Sequence, residues 1–110
     1  MTRARLRPRA EADLVEHTRY YVRVGGRPLG ERFFDAALAA LRSIERRPGI
    51  GSPRLGELCD IPGLRAWPVK AFPVRWCYFA TENHLDVVRL LADAQDLVTI
   101  LGPTAAPPDR

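Results

Sequence analysis

Cations recur through the last third of this chain where a small sheet would have to carry them. Arg65, Lys70, Arg75 and Arg89 sit within runs rich in β-branched and aromatic residues. Trp67, Trp76, Tyr78 and Phe79 interleave with them. A sheet with basic side chains on one surface suits an anionic or acidic partner. Aromatic rings between cations can also stack on nucleic-acid bases. A solvated sheet face over an aromatic core accounts for the same pattern, so residue types alone leave these readings open.

Other chemistry is poorly supported. His17 and His84 are far apart, and neither has a Cys, Asp or Glu neighbour at metal-ligand spacing. Cys59 and Cys77 form no C-x-x-C pair; two reduced cysteines are expected, with Cys77 a buried apolar residue of a strand. No G-K-[ST] follows Gly25-Gly26, and no G-x-S-x-G surrounds Ser43 or Ser52. Glu11, Asp13 and Glu16 mix with arginines, as on a solvated helix face. Neither a metal nor a cofactor is expected.

The chain has 110 residues and a net charge of +4, with basic residues that are nearly all arginine. That length points to one domain with one modest core. The charge would assist binding to nucleic acid or to an acidic protein. The N-terminus, T-R-A-R-L-R-P-R, has no apolar run, and no segment is long and apolar enough for a bilayer. A cytoplasmic protein without membrane contact is expected.

The elements that must position the cations follow from periodicity. Residues 3–7 alternate basic and apolar and stop at Pro8, which reads as a short strand with Ala4 and Leu6 inward. Residues 9–24 and 29–47 have helical spacing and are separated by Gly25-Gly26, so they form an antiparallel hairpin. In the second helix Phe34, Leu38 and Leu41 share a stripe expected to face the core. Residues 50–63 are rich in Gly and Pro and form a long connection over the core, with a helical turn near 55–59. Three strands then cover 64–70, 74–80 and 85–91. Pro68 assigns the first to an edge, and 74–80 is the central one. A short helix is expected over 93–101 and a flexible tail over 103–110.

The order strand, helical hairpin, loop and three-strand meander resembles the toxins of the RelE/ParE superfamily, most closely the ParE branch. The resemblance covers residues 3–97 and rests on several fragments. These are A-x-x-D-L from Ala10, Tyr20-Tyr21, R-R-P-G-I-G from Arg46, P-G-L-R from Pro62 and Pro68-Val69. Phe72-Pro73, Tyr78 and V-V-R-L-L from Val87 complete them. It implies an α+β fold, β-α-α-β-β-β, with the hairpin packed on a small, mostly antiparallel sheet. The toxin domain would cover 1–102.

The resemblance also implies a type II toxin. ParE toxins poison DNA gyrase by protein binding, and a ParD-type antitoxin neutralises them in a hetero-oligomer. Here that antitoxin would dock on the hairpin and the sheet beside it. On this reading the chain has no catalytic residues. RelE-like ribonucleases instead cut ribosome-bound mRNA; in that alternative Arg65, Arg75, Tyr78 and Arg89 would be catalytic. Such enzymes carry a basic, tyrosine-containing segment after the last strand, where this chain has Ala92-Asp93-Ala94-Gln95-Asp96. ParE relatives often carry His and Arg where Ala92 and Gln95 stand. A diverged toxin that only binds antitoxin is the third alternative.

Overall fold

Pro8 has no amide hydrogen to give a strand, and its fixed φ suits the first turn of a helix. Strand β1 (Arg3–Leu6) therefore stops short of it and helix α1 (Pro8–Arg46) begins on it. The structure, a computed structural model, describes residues 2–95 and 100–101. Helix α1 is two arms broken at Gly26, which lies at φ 82° and ψ 175°, a backbone that L side chains rarely adopt. The arms fold back on each other. Phe33 of the second arm lies 4.8 Å from Tyr21 and 6.1 Å from His17, ring centroid to centroid. The hairpin expected from Gly25-Gly26 is present.

A 3-10 turn (Pro48–Ile50) and the short helix α2 (Arg54–Leu58) follow, then β2 (Leu64–Pro68), β3 (Val74–Ala80) and β4 (His84–Ala92). The sheet order is β1-β4-β3-β2, with β1 parallel to β4 and the other pairs antiparallel. This is the expected α+β order, β-α-α-β-β-β, with Pro68 on an edge strand and β3 inside. Residues 93–95 form a turn. Of the helix expected over 93–101, residues 96–99 lie outside the described residues, and 100–101 are helical. The tail expected from 103 lies outside them too.

Both central strands are covered on two faces. The hairpin packs on one through Phe33, Ala37, Leu41 and Ile44, against Val74, Trp76, Tyr78, Leu85, Val87 and Leu90. On the other, Leu55 and Ile61 of the long connection, with Leu101, cover Leu64, Cys77, Phe79, Val88 and Leu91. That double cover explains why V-V-R-L-L lacks the alternation of a half-buried strand. Cys77 pairs with Arg89 but Tyr78 pairs with Val87, so Val88 is an extra residue, a β-bulge. The bulge turns both Val87 and Leu90 toward the hairpin.

Two expectations need correction. Phe34 is 39% exposed, while Phe33 is fully buried. The second arm is rotated so that Phe33, Ala37, Leu41 and Ile44 meet the sheet; Leu41 keeps its place in the core and Leu38 is only partly buried. Asp13 is not on a solvated face: it is 3% exposed. Its carboxylate has a buried cation to hold, as described below.

Neither cysteine is in a disulfide. Burial pushes the Cys77 thiol up to about 12. Its folded value thus lies above its unfolded one, so the folded state holds the proton longer. That contribution to stability is complete below the ordinary thiol range and is lost as pH rises toward 12. Burial of the Tyr78 hydroxyl shifts it in the same direction. Unfolding free energy measured by urea titration should therefore fall steadily above about pH 9, where an unfolded thiol begins to ionise. In Cys77→Ala the same fall should be shallower.

Candidate partner-binding site

Helix side chains take over the edge of β4 where β1 ends. Asp13 accepts from Arg89 Nε at 2.7 Å, from Arg89 Nη2 at 3.1 Å and from the Leu90 amide at 3.0 Å. His17 Nε2 donates to the Leu90 carbonyl at 3.0 Å. Both backbone groups of Leu90 are thereby satisfied, and the buried guanidinium of Arg89 has a bidentate carboxylate. Arg89 is thus committed to joining the hairpin to the sheet.

Arg65 and Tyr78 are cross-strand partners and converge on the turn after α1. The Tyr78 hydroxyl donates to the Pro48 carbonyl at 2.7 Å and accepts from the Gly51 amide at 2.9 Å. Arg65 Nη1 donates to the carbonyls of Gly51 at 2.6 Å and Gly49 at 3.3 Å. The fit is tight: a Cβ on Gly51 would lie 2.6 Å from the Tyr78 oxygen. R-R-P-G-I-G and P-G-L-R therefore meet in space as a clamp on one turn. Tyr78→Phe would leave two backbone groups without this partner. It should cost about 1–3 kcal/mol by chemical denaturation.

Arg75 is elsewhere. It stands three residues from Tyr78 in a regular strand, so the two point to opposite faces. Its Nε donates to Asp93 at 3.0 Å, in a partly exposed ion pair. Nearby, Gln95 Oε1 accepts from the Ala92 amide at 2.7 Å and closes the turn after β4. Of the four cations singled out by pattern and the tyrosine added by the resemblance, only Arg65 and Tyr78 share a cluster. Lys70 lies exposed in the β2–β3 turn.

The open feature is a groove of about 940 Å³ between the second arm of α1 and the end of β2. Small side chains, Ala36, Ala39 and Ser43, make it deep on the helix side, and Trp67 and Phe72 wall it opposite. Arg32, Asp35 and Lys70 stand at its lining as charged groups. The alanines at three-residue spacing were visible in the sequence, but small residues on a helix carry no sign of what lies across from them.

Both edges of the sheet are largely closed, β2 beside the groove and β1 on the opposite side. At the β1 edge Glu45 accepts from the Thr2 amide through its carbonyl and from the Ala4 amide through its carboxylate. On β2, Ala66 exchanges both backbone bonds with Ser52, Leu64 donates to Ile61, and Pro68 has no amide hydrogen. An added strand finds few free groups to pair with. On the other face of β2 lies a smaller pocket of about 360 Å³, lined by Ser52, Arg54, Leu55, Ala66, Pro68 and Arg75.

Among the described residues there is no cluster of potential metal ligands, and no helix is long and apolar enough to cross a membrane. Residues 4–97 match the family described as ParE toxin of type II toxin-antitoxin system, parDE. Among solved structures, a chain of the chromosomal ParDE TA system from P. aeruginosa is similar in fold. It has a TM-score of 0.72 at 17% identity, over 84% of this chain and 96% of that one. No curated protein sequence matches significantly.

Proposed function

The chain belongs to the ParE toxin family of type II toxin–antitoxin systems, and on that premise we propose that it acts by binding proteins: DNA gyrase as target and a ParD-type antitoxin as neutraliser. The observation that carries this reading is how the would-be ribonuclease residues are employed. Cleavage of RNA needs a positioned base, a positioned acid and cations around one phosphate. Here Arg89 is consumed by Asp13, Tyr78 and Arg65 hold a turn, and Arg75 faces away from Tyr78. The turn after β4 presents Asp93, whose charge opposes a developing phosphate anion.

The groove supplies the complementary argument. An apolar trough beside a closed sheet edge fits an amphipathic helix better than an extended strand. Its occupant in this reading is a segment of the antitoxin that folds as it binds.

The test is induced expression followed by two assays, gyrase supercoiling and primer extension on a reporter mRNA. Loss of supercoiling with intact mRNA is expected, and co-expression with a cognate ParD-type antitoxin should abolish it. Codon-positioned mRNA cleavage that disappears in Arg75→Ala would replace this reading with a ribonuclease. Neither activity, with antitoxin binding retained, would identify a diverged toxin that only binds its partner, as Ala92 and Gln95 permit.

A further inference from the structure

The smaller pocket and the groove lie on opposite faces of the same edge strand, and Pro68 lines both. A chain leaving the groove over Pro68 finds no amide hydrogen there to pair with as an added strand. It arrives at a pocket with an apolar floor, Leu55 and Ala66, between two arginines. Arg54 makes no side-chain bond or ion pair among the described residues, and Arg75 is held by one exposed carboxylate, Asp93. The protein thus already shows which chemistry Arg75 accepts. An exposed pair of this kind is weak and easily exchanged.

We propose that the pocket between Arg54 and Arg75 is a second anchor for the groove's occupant: the antitoxin segment crosses β2 at Pro68 and places an Asp or Glu carboxylate there, displacing Asp93. This rests on the reading of the groove as the antitoxin site. It adds that a charge-assisted lock on the far face of β2 sets much of the affinity. Asp93 acts as the internal placeholder that keeps Arg75 oriented in the free toxin.

The experiment measures binding of the full chain to a purified cognate ParD-type antitoxin by calorimetry at two salt concentrations. The Arg54→Ala/Arg75→Ala pair should weaken binding by about tenfold or more and flatten its salt dependence. Arg3→Ala/Arg5→Ala removes the same charge from β1, at the opposite edge of the sheet, and should leave binding within about twofold. Asp93→Asn frees Arg75 and should tighten binding by about twofold to fivefold. Melting curves check that each variant folds; all five positions are partly or fully exposed. Equal losses in the two arginine pairs, or no loss in either, overturn the anchor while the groove reading stands. Failure of the unaltered chain to bind overturns both. If the Arg54/Arg75 pair spares antitoxin binding but loses retention of a single-stranded RNA oligonucleotide, the pocket is a phosphate site and the proposal falls.

Discussion

Asp13→Ala should destabilise the protein by about 3–5 kcal/mol, a large part of what holds a domain of this size together. The carboxylate makes three bonds, two to Arg89 and one to the Leu90 amide. Removing it strands a guanidinium that is only 6% exposed and leaves the Leu90 amide without its acceptor. A buried cation without a partner costs far more than its pair contributes when intact. Arg89→Met should cost less. Asp13 would keep the Leu90 amide, and Arg9 already stands 3.7 Å from its carboxylate. Urea titrations of the two variants give the comparison. Equal losses would mean that the backbone bond and Arg9 contribute little to holding Asp13.

Phe33→Ala should cost about 3–5 kcal/mol, whereas Phe34→Ala should stay within about 1 kcal/mol of the parent. Phe33 is fully buried, with Tyr21 at 4.8 Å and Phe72 at 5.2 Å, so truncation empties the centre of an aromatic cluster. That cluster joins the two arms of α1 to the β2–β3 turn, beside the groove. Phe34 lies on the outer side of the same helix turn. The two variants differ by one position in a sequence where both residues look equally suited to a core. If Phe34→Ala proved the more damaging, the second arm would be rotated by about one residue, roughly 100°.

The element order was legible because each boundary has a local cause. Pro8 ends a strand and starts a helix, Gly25-Gly26 breaks the hairpin, and Pro68 confines β2 to an edge. The motif fragments were legible as a set, and the family match covers nearly the same residues. The rotation of the second arm was not. Phe33 and Phe34 both satisfy a helical period within one residue, and only the sheet's shape selects between them.

The site was legible as a list of residues but not as an arrangement. Local propensity and spacing determined where strands, helices and turns lie, because those signals act over a few neighbouring residues. The residue pattern also flagged Arg65, Arg75 and Arg89 among the strand cations, and the family resemblance added Tyr78. What each of them does was decided by partners far away in sequence: Asp13 for Arg89, Gly49 and Gly51 for Arg65, Pro48 for Tyr78, and Asp93 for Arg75. A one-residue bulge at Val88 and an odd spacing in β3 then sent these side chains to different surroundings. Charge is written in the sequence, but whether a charge is spent inside the fold or offered to a partner depends on what the closed chain brings within hydrogen-bonding distance of it.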